Sequence, residues 1–272
     1  MWTHRQRAAV GVLALIASLT LWAFHAARSA SVAIDAATVA ARAPIPIGPE
    51  GDLIRYGRLL VTQTPKYAGK YIGAELSCSS CHLDAGTRPH GGSLLGIYAK
   101  FPQWSKRAKR FITLEDRLAE CFLYSMNGRP PAPYSREIIA LSAYIAWLSR
   151  GAQVGTGFPN QGFVAVHAPN PPDKAAGAKI YSADCAVCHG AGGAGSASTN
   201  IPPLWGSKSF NDGAGMNRKM VAFVKANMPL GREGMLSDQE AADVAAYVLS
   251  HKRPRFDGTR TIEFPSKRAS FF

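Results

Sequence analysis

The chain has 272 residues, 47% of them hydrophobic and 18% charged, with a formal net charge of +13. That balance excludes a disordered polyelectrolyte, and the length suits two small domains better than one large core. The positive excess favours a membrane surface, an acidic partner or small anions.

The N-terminus carries Arg5 and Arg7 and no acid, residues 8–24 form an apolar run, and small residues follow. This is the layout of an export signal over residues 1–33, with cleavage expected after Ala30 or Ala33. The run sits near the short limit for a membrane span, so membrane attachment is expected only through an uncleaved signal. Loss of residues 1–33 removes Arg5, Arg7 and Arg28 and leaves +10 (13 − 3). The expected location is the periplasm, where nucleic acid is a poor partner.

The first domain is placed at residues 34–150. It opens on an Ala- and Pro-rich stretch over 34–50. Helical patterning begins near Asp52, with Leu53, Tyr56, Leu59 and Leu60 near one face. A C-x-x-C-H motif follows at Cys78, Cys81 and His82. The stretch WSKRAKRFITLEDR then gathers Lys106, Arg107, Lys109, Arg110 and Arg117. On charge alone it fits a solvated helix face as well as an anion site. Residues 138–149 predict a helix, with Ile138, Leu141, Ile145 and Leu148 at helical spacing. Gly, Pro and Asn punctuate a linker over 151–172.

The second domain, residues 173–256, repeats the plan. A helix leads into Cys185, Cys188 and His189, a Gly/Ser/Ala loop follows, and SDQEAADVAAYVLSHK closes as a helix with Ser237 or Asp238 as N-cap. Residues 257–272 read as an irregular tail. No β-rich segment stands out.

Two thiols at this spacing add to the vinyl groups of haem, and the adjacent His reaches the iron. The two motifs, each between matching helices, therefore predict two covalently bound haems c. The motif histidines are 107 residues apart (189 − 82), and Tyr144 and Tyr247 of the terminal helices are 103 apart (247 − 144). The halves thus align with about four residues of slippage. The first half carries extra residues before its motif: Gly57 to Cys78 is 21 (78 − 57), against 8 (185 − 177) from Gly177 to Cys185. The fold class is all-α: two class I cytochrome c-like domains in tandem.

Each iron has a sixth position. Met216, Met220, Met228 and Met235 follow His189, and Met228 sits in a Met-Pro pair before the last helix. His/Met is a known haem ligation type. His189 to Met228 is 39 residues (228 − 189), and His82 plus 39 is Cys121, the one cysteine outside the motifs. Met126 and His90 are competing ligands, and a buried structural cysteine is the plain alternative. A thiolate stabilises ferric iron and lowers its potential relative to Met, so electrons are expected to run from the first haem to the second. A thiolate also makes and breaks S–S bonds. Arginine forks match oxyanions, and Ser125 faces the same site as Cys121 if that stretch is helical.

With CSSCH, R-x9-R leading to ECFLYSMNGRPPAP, and CAVCH followed by KANMP, residues 50–255 resemble the thiosulfate dehydrogenase family. The middle motif is the specific part. The resemblance implies a periplasmic enzyme that joins two thiosulfates into tetrathionate through an adduct on Cys121. In it Cys121 ligates the active-site haem, Arg107, Arg117 and Ser125 line the substrate pocket, and Met228 ligates the electron-exit haem. Another periplasmic cytochrome would accept the electrons, and the reaction direction stays open. Some family members carry Lys before that Met and exchange ligands; Asn227 here argues against such a swap. Two other readings remain: a non-catalytic two-haem electron carrier, and the haem subunit of a multi-component sulfur-oxidising system.

Overall fold

A computed structural model describes residues 44–158, 161–213, 219–260 and 262. The expected signal at 1–33 and most of the tail beyond residue 260 lie outside the described residues, as does Met216. Among the described residues no helix is long and apolar enough to cross a membrane.

The first domain is built on helix α1 (Pro49–Thr62) packed against α3 (Arg136–Leu148). Proline in the first turn of α1 costs no hydrogen bond there, and Glu50 and Asp52 complement the helix dipole. In α3 the Ser135 side chain caps Ile138 N–H, and Ile138, Leu141, Tyr144, Ile145 and Leu148 are all buried. The helices meet at Gly57: a methyl group there would lie 2.1 Å from Ala140 O and 2.7 Å from Tyr144 Cβ.

The second domain uses the same crossing. Helix α4 (Lys174–Ile180) packs on α6 (Asp238–Leu249), with Gly177 at the contact and Asp243 O 2.1 Å from where its methyl would be. Gly57 and Gly177, matched by the repeat, thus hold equivalent places. Ser237, not Asp238, is the α6 N-cap, in a reciprocal capping box with Glu240. Helix α5 (Met220–Asn227) packs against α6 and ends at Met228. This is the expected all-α tandem cytochrome c architecture.

One element differs from the sequence reading. The basic stretch is not a single helix. Strands β1 (Gln103–Ser105) and β2 (Arg110–Ile112) form an antiparallel hairpin, and only then does α2 (Leu114–Glu120) begin. Three-residue strands are too short to show a period-two pattern. The turn is made by Ser105, whose carbonyl accepts from Lys109 N–H at 2.9 Å, and by Lys109 itself at φ 53°.

Hydrogen bonds join the domains. Glu75 N–H donates to Lys208 O (2.8 Å), Ser77 Oγ to Asn200 Oδ1 (2.8 Å), and Asn227 Nδ2 to His90 O (3.1 Å). Arg88 Nη1 pairs with Glu233 at 2.7 Å. The 151–172 segment is anchored along its length: Phe158 is buried, Gly155 N–H reaches Ala99 O, and His167 N–H reaches Asp238 on α6.

Candidate active site

Each C-x-x-C-H motif presents its histidine in one tautomer. His82 Nδ1 is bound to Gly92 O, and His189 Nδ1 lies 3.1 Å from Pro202 O. Donation from Nδ1 leaves Nε2 as the metal-binding nitrogen. Burial lowers the pKa of both imidazoles, which keeps them neutral. Burial also pushes the thiols of Cys78, Cys81 and Cys185 up, to about 11, about 12 and about 11. Such surroundings reject thiolate charge and suit neutral thioethers. Thr64 Oγ1 further fixes Cys78, accepting from its N–H at 2.9 Å. Donor type and tautomer therefore fit haem c at both motifs, with Cys78, Cys81, His82 and Cys185, Cys188, His189 as the holding residues; the first motif is the more enclosed, and Cys188 in the second is exposed.

The first site has an additional sulfur. Thr113 caps α2 in a capping box with Asp116, and the helix runs directly into a wider turn, Cys121–Ser125. There Met126 N–H donates back to Cys121 O at 3.0 Å, an i→i+5 bond of the kind often found at functional sites. This places the Cys121 sulfur within electrostatic reach of Cys78 and Cys81. The Arg117 guanidinium is held above its usual pKa, first by the charge of that sulfur and then by Glu120. Arg117 Nη1 lies 3.4 Å from Glu120 Oε2.

Beside this group is an open cleft of about 240 Å³, lined by β1 together with Arg107, Ile112, Arg117 and Glu120. Two arginines from different elements, the hairpin turn and α2, thus face one space; Cys121 is not itself among the lining residues but directly follows Glu120, which is. The Arg107 guanidinium carbon also lies over the Tyr124 ring, 4.3 Å from the centroid. Ser125 is exposed and does not line the cleft. Of the competing ligands, Met126 is buried in the hydrophobic core, and His90 holds Gly162 O through Nδ1 at 2.8 Å. In the second domain Met220 is buried in α5, Met235 is 48% exposed, and Met228 packs partly buried at the α5 C-terminus.

Three participants escape the sequence reading. Glu120 is a buried carboxylate in an anion cleft, visible in sequence only as the residue before Cys121. Tyr124 supports Arg107. Lys219, from the second domain, lies close enough to His82 and Cys81 to act on both electrostatically.

Comparisons with known proteins match both domains. Residues 66–154 match the SoxA/TsdA cytochrome c domain model and residues 174–252 the cytochrome c model. The chain is 42% identical to the thiosulfate dehydrogenase of Stutzerimonas stutzeri, over 78% of this chain and 71% of that one. It is 41% identical to that of Allochromatium vinosum, over 85% and 88% respectively. The chain belongs to the thiosulfate dehydrogenase family. A solved thiosulfate dehydrogenase (TsdBA) from Marichromatium purpuratum superposes with TM-score 0.74 at 34% identity, over 83% of this chain. This chain spans half of that solved one. Family membership makes it an oxidoreductase with two haems c.

Proposed function

We propose that this chain oxidises thiosulfate to tetrathionate at Cys121. The observation that carries the reading is the Cys121 sulfur within electrostatic reach of the first-motif thiols and of Arg117, which lines one cleft together with Arg107 and with Glu120, the residue before Cys121. The naming of the relatives as thiosulfate dehydrogenases supports the same substrate.

Arg107 and Arg117 bind the sulfonate end of thiosulfate through charge-assisted hydrogen bonds. The outer sulfur then points at Cys121. Loss of two electrons joins the two sulfurs as Cys121–S–S–SO3⁻. Bound haem supplies one-electron acceptance, and two haems match a two-electron coupling. A second thiosulfate attacks the bridging sulfur, between the Cys121 sulfur and the SO3 group, with its own outer sulfur. The new S–S bond makes tetrathionate, the bond to Cys121 breaks, and Cys121 leaves as thiolate. No proton is consumed or released in the sum, so Glu120 is not needed as an acid or base. Its carboxylate holds Arg117 and limits how firmly the dianionic product stays. The same groups serve the reverse reaction.

The reading extends to the rest of the chain as follows. His82 and Cys121 would hold the iron of the first haem, and His189 and Met228 that of the second. The second haem would supply the electron exit to an acceptor cytochrome in the periplasm, where the N-terminal signal would deliver the chain.

The test is thiosulfate-dependent reduction of ferricyanide, with tetrathionate quantified, by wild type and Cys121→Ala loaded with both haems. Wild type is expected to turn over with two thiosulfates consumed per tetrathionate, and Cys121→Ala to lose at least about a thousandfold in rate, as expected for a removed nucleophile. Equal rates in the two proteins would identify a plain electron carrier. Activity only in the presence of a second protein would favour a subunit of a larger sulfur-oxidising system.

A further inference from the structure

The chain beyond α6 leaves the second domain and crosses onto the first. It is pinned at its start by Asp212, whose N–H donates to Pro254 O (3.0 Å) and whose Oδ1 accepts from Phe256 N–H (2.6 Å). Asp257 closes a turn with Thr259, accepting from its N–H at 2.9 Å and its Oγ1 at 2.6 Å. From there the chain grips the Cys121 turn. Tyr124 OH donates to Arg260 O at 2.8 Å, and the Phe256 ring lies 5.8 Å from the Tyr124 ring. The Arg260 guanidinium donates to Gly128 O, just past the same turn. On the other side, Asn211 of the second domain donates to Asn127 Oδ1 at 2.7 Å and to Tyr124 O.

Tyr124 thus has two engaged sides. Phe256, Arg260 and Asn211 hold it, and its ring face carries the Arg107 guanidinium at 4.3 Å. Arg107 sits in the turn of an exposed hairpin between Lys106 and Lys109. A long side chain there is free to point into solvent, and ordering it costs conformational entropy each time an anion binds. A fixed aromatic platform meets that cost before binding, because guanidinium planes stack on aromatic faces.

We infer that Tyr124 is a positioning residue for Arg107, and that residues 254–260 form a strap making the second domain's tail part of the first domain's anion site. The inference rests on the cleft being the thiosulfate site. It also reassigns the stretch 254–260, which by sequence is only irregular chain. By reciprocity, an anion that engages Arg107 should in turn stabilise the strap.

Three variants of the two-haem protein test it. Tyr124→Leu removes the platform, Tyr124→Phe keeps the ring but loses the bond to Arg260, and a chain ending at Arg255 removes the strap. Tyr124→Leu and the shortened chain are expected to raise the KM for thiosulfate about 3- to 30-fold, the range for a lost guanidinium–ring contact. Their kcat should stay near wild type, because uniform binding is what is lost. Tyr124→Phe should recover most of the KM. Thiosulfate should also slow tryptic cleavage after Arg255 in the wild type, and fail to do so in Arg107→Gln. Wild-type KM in both Tyr124→Leu and the shortened chain would overturn the inference. If the shortened chain fails to acquire haem, Tyr124→Leu alone decides by the same criterion. If the wild type does not oxidise thiosulfate, the functional reading falls. The strap is then judged by proteolysis with thiosulfate or sulfate as the anion, and absence of protection overturns it.

Discussion

Arg107 and Arg117 share a cleft but are held differently, and this sets their expected contributions. Arg117 is fixed by Glu120 from one helical turn below and faces the Cys121 sulfur. Arg107 rests on an aromatic ring. Hydrogen bonds to charged groups contribute about 1.5–3 kcal/mol, so Arg117→Ala should lower kcat/KM by about 10- to 100-fold while both haems remain bound. Arg117→Lys should restore little, since a point charge cannot replace the fork. Loss of haem in Arg117→Ala would show a structural role instead, and absorbance at the haem bands distinguishes the two. In the second domain, Met228→Gly should alter the spectrum and potential of the second haem alone. A change confined to the first haem would mean that the two halves are misaligned. Asn227, directly before Met228, is buried and ties α5 to His90 O in the first domain. A lysine at that place would have to bury its charge, which is the physical reason that Asn227 suits a fixed Met228.

The helix pairs show how far the repeat extends. Both domains cross their first and last helices at a glycine, where an added methyl would meet a backbone carbonyl at 2.1 Å. Gly57→Ala and Gly177→Ala should each destabilise their own domain by about 1–3 kcal/mol, the usual cost of overpacking. Gly69→Ala, with nothing within 4 Å of the new methyl, is the control and should stay within about 0.5 kcal/mol. Denaturant unfolding followed at the haem bands checks all three. The equivalence stops short of the aromatic residues. In the first domain Tyr144, on the last helix, donates to Ala85 O behind the haem motif at 2.8 Å. In the second, that post-motif loop is held by Tyr181, which donates to Gly190 O at 2.7 Å, while the Tyr247 ring is tilted against the Tyr181 ring, 5.4 Å between centroids. The Cys121 turn has its own asymmetry: it continues α2, after the first haem motif, whereas in the second domain the comparable wide turn, Tyr181–Cys185, continues α4 and runs into the motif at Cys185.

Across the whole molecule, the two domains are joined by polar contacts close to both haem sites. Arg88, on the loop after the first motif, pairs with Glu233, on the loop after Met228. Gly231 N–H and then Arg88 hold the Glu233 carboxyl down at about 2, from an ordinary 4.5. A depressed carboxylate pKa stabilises the fold above the unfolded-state value and stops doing so as pH falls through the folded value. The contribution should therefore be complete above about pH 5 and fade between pH 4.5 and about 2. Glu233→Gln should lower the unfolding midpoint at pH 7 and match the wild type at pH 2. Because the pair is partly exposed, salt should weaken it. Denaturant midpoints at several pH values and ionic strengths measure both effects.

The sequence alone determined the two haem attachments, the helices that frame them, and the placement of Cys121 against Met228. Each of these is local or periodic: C-x-x-C-H spans five residues, α3 and α6 bury residues at helical spacing, and the 39-residue step from motif histidine to Cys121 or Met228 is carried by a repeat. It also brought Arg107 and Arg117 forward, by charge and resemblance, without showing that they sit on a hairpin and a helix. Only the tertiary structure decided what holds those arginines. Glu120 reads as any helical acid until the cleft forms around it. Tyr124 and Arg260 are 136 residues apart and on different domains, so their contact leaves no pattern in the chain. The same holds for Asn227 and His90, 137 apart. Ser125, placed in the pocket by resemblance and helical spacing, is exposed and lies outside the cleft lining, because that lining is assembled from β1, the hairpin turn and α2 rather than from the one helical face that spacing can read.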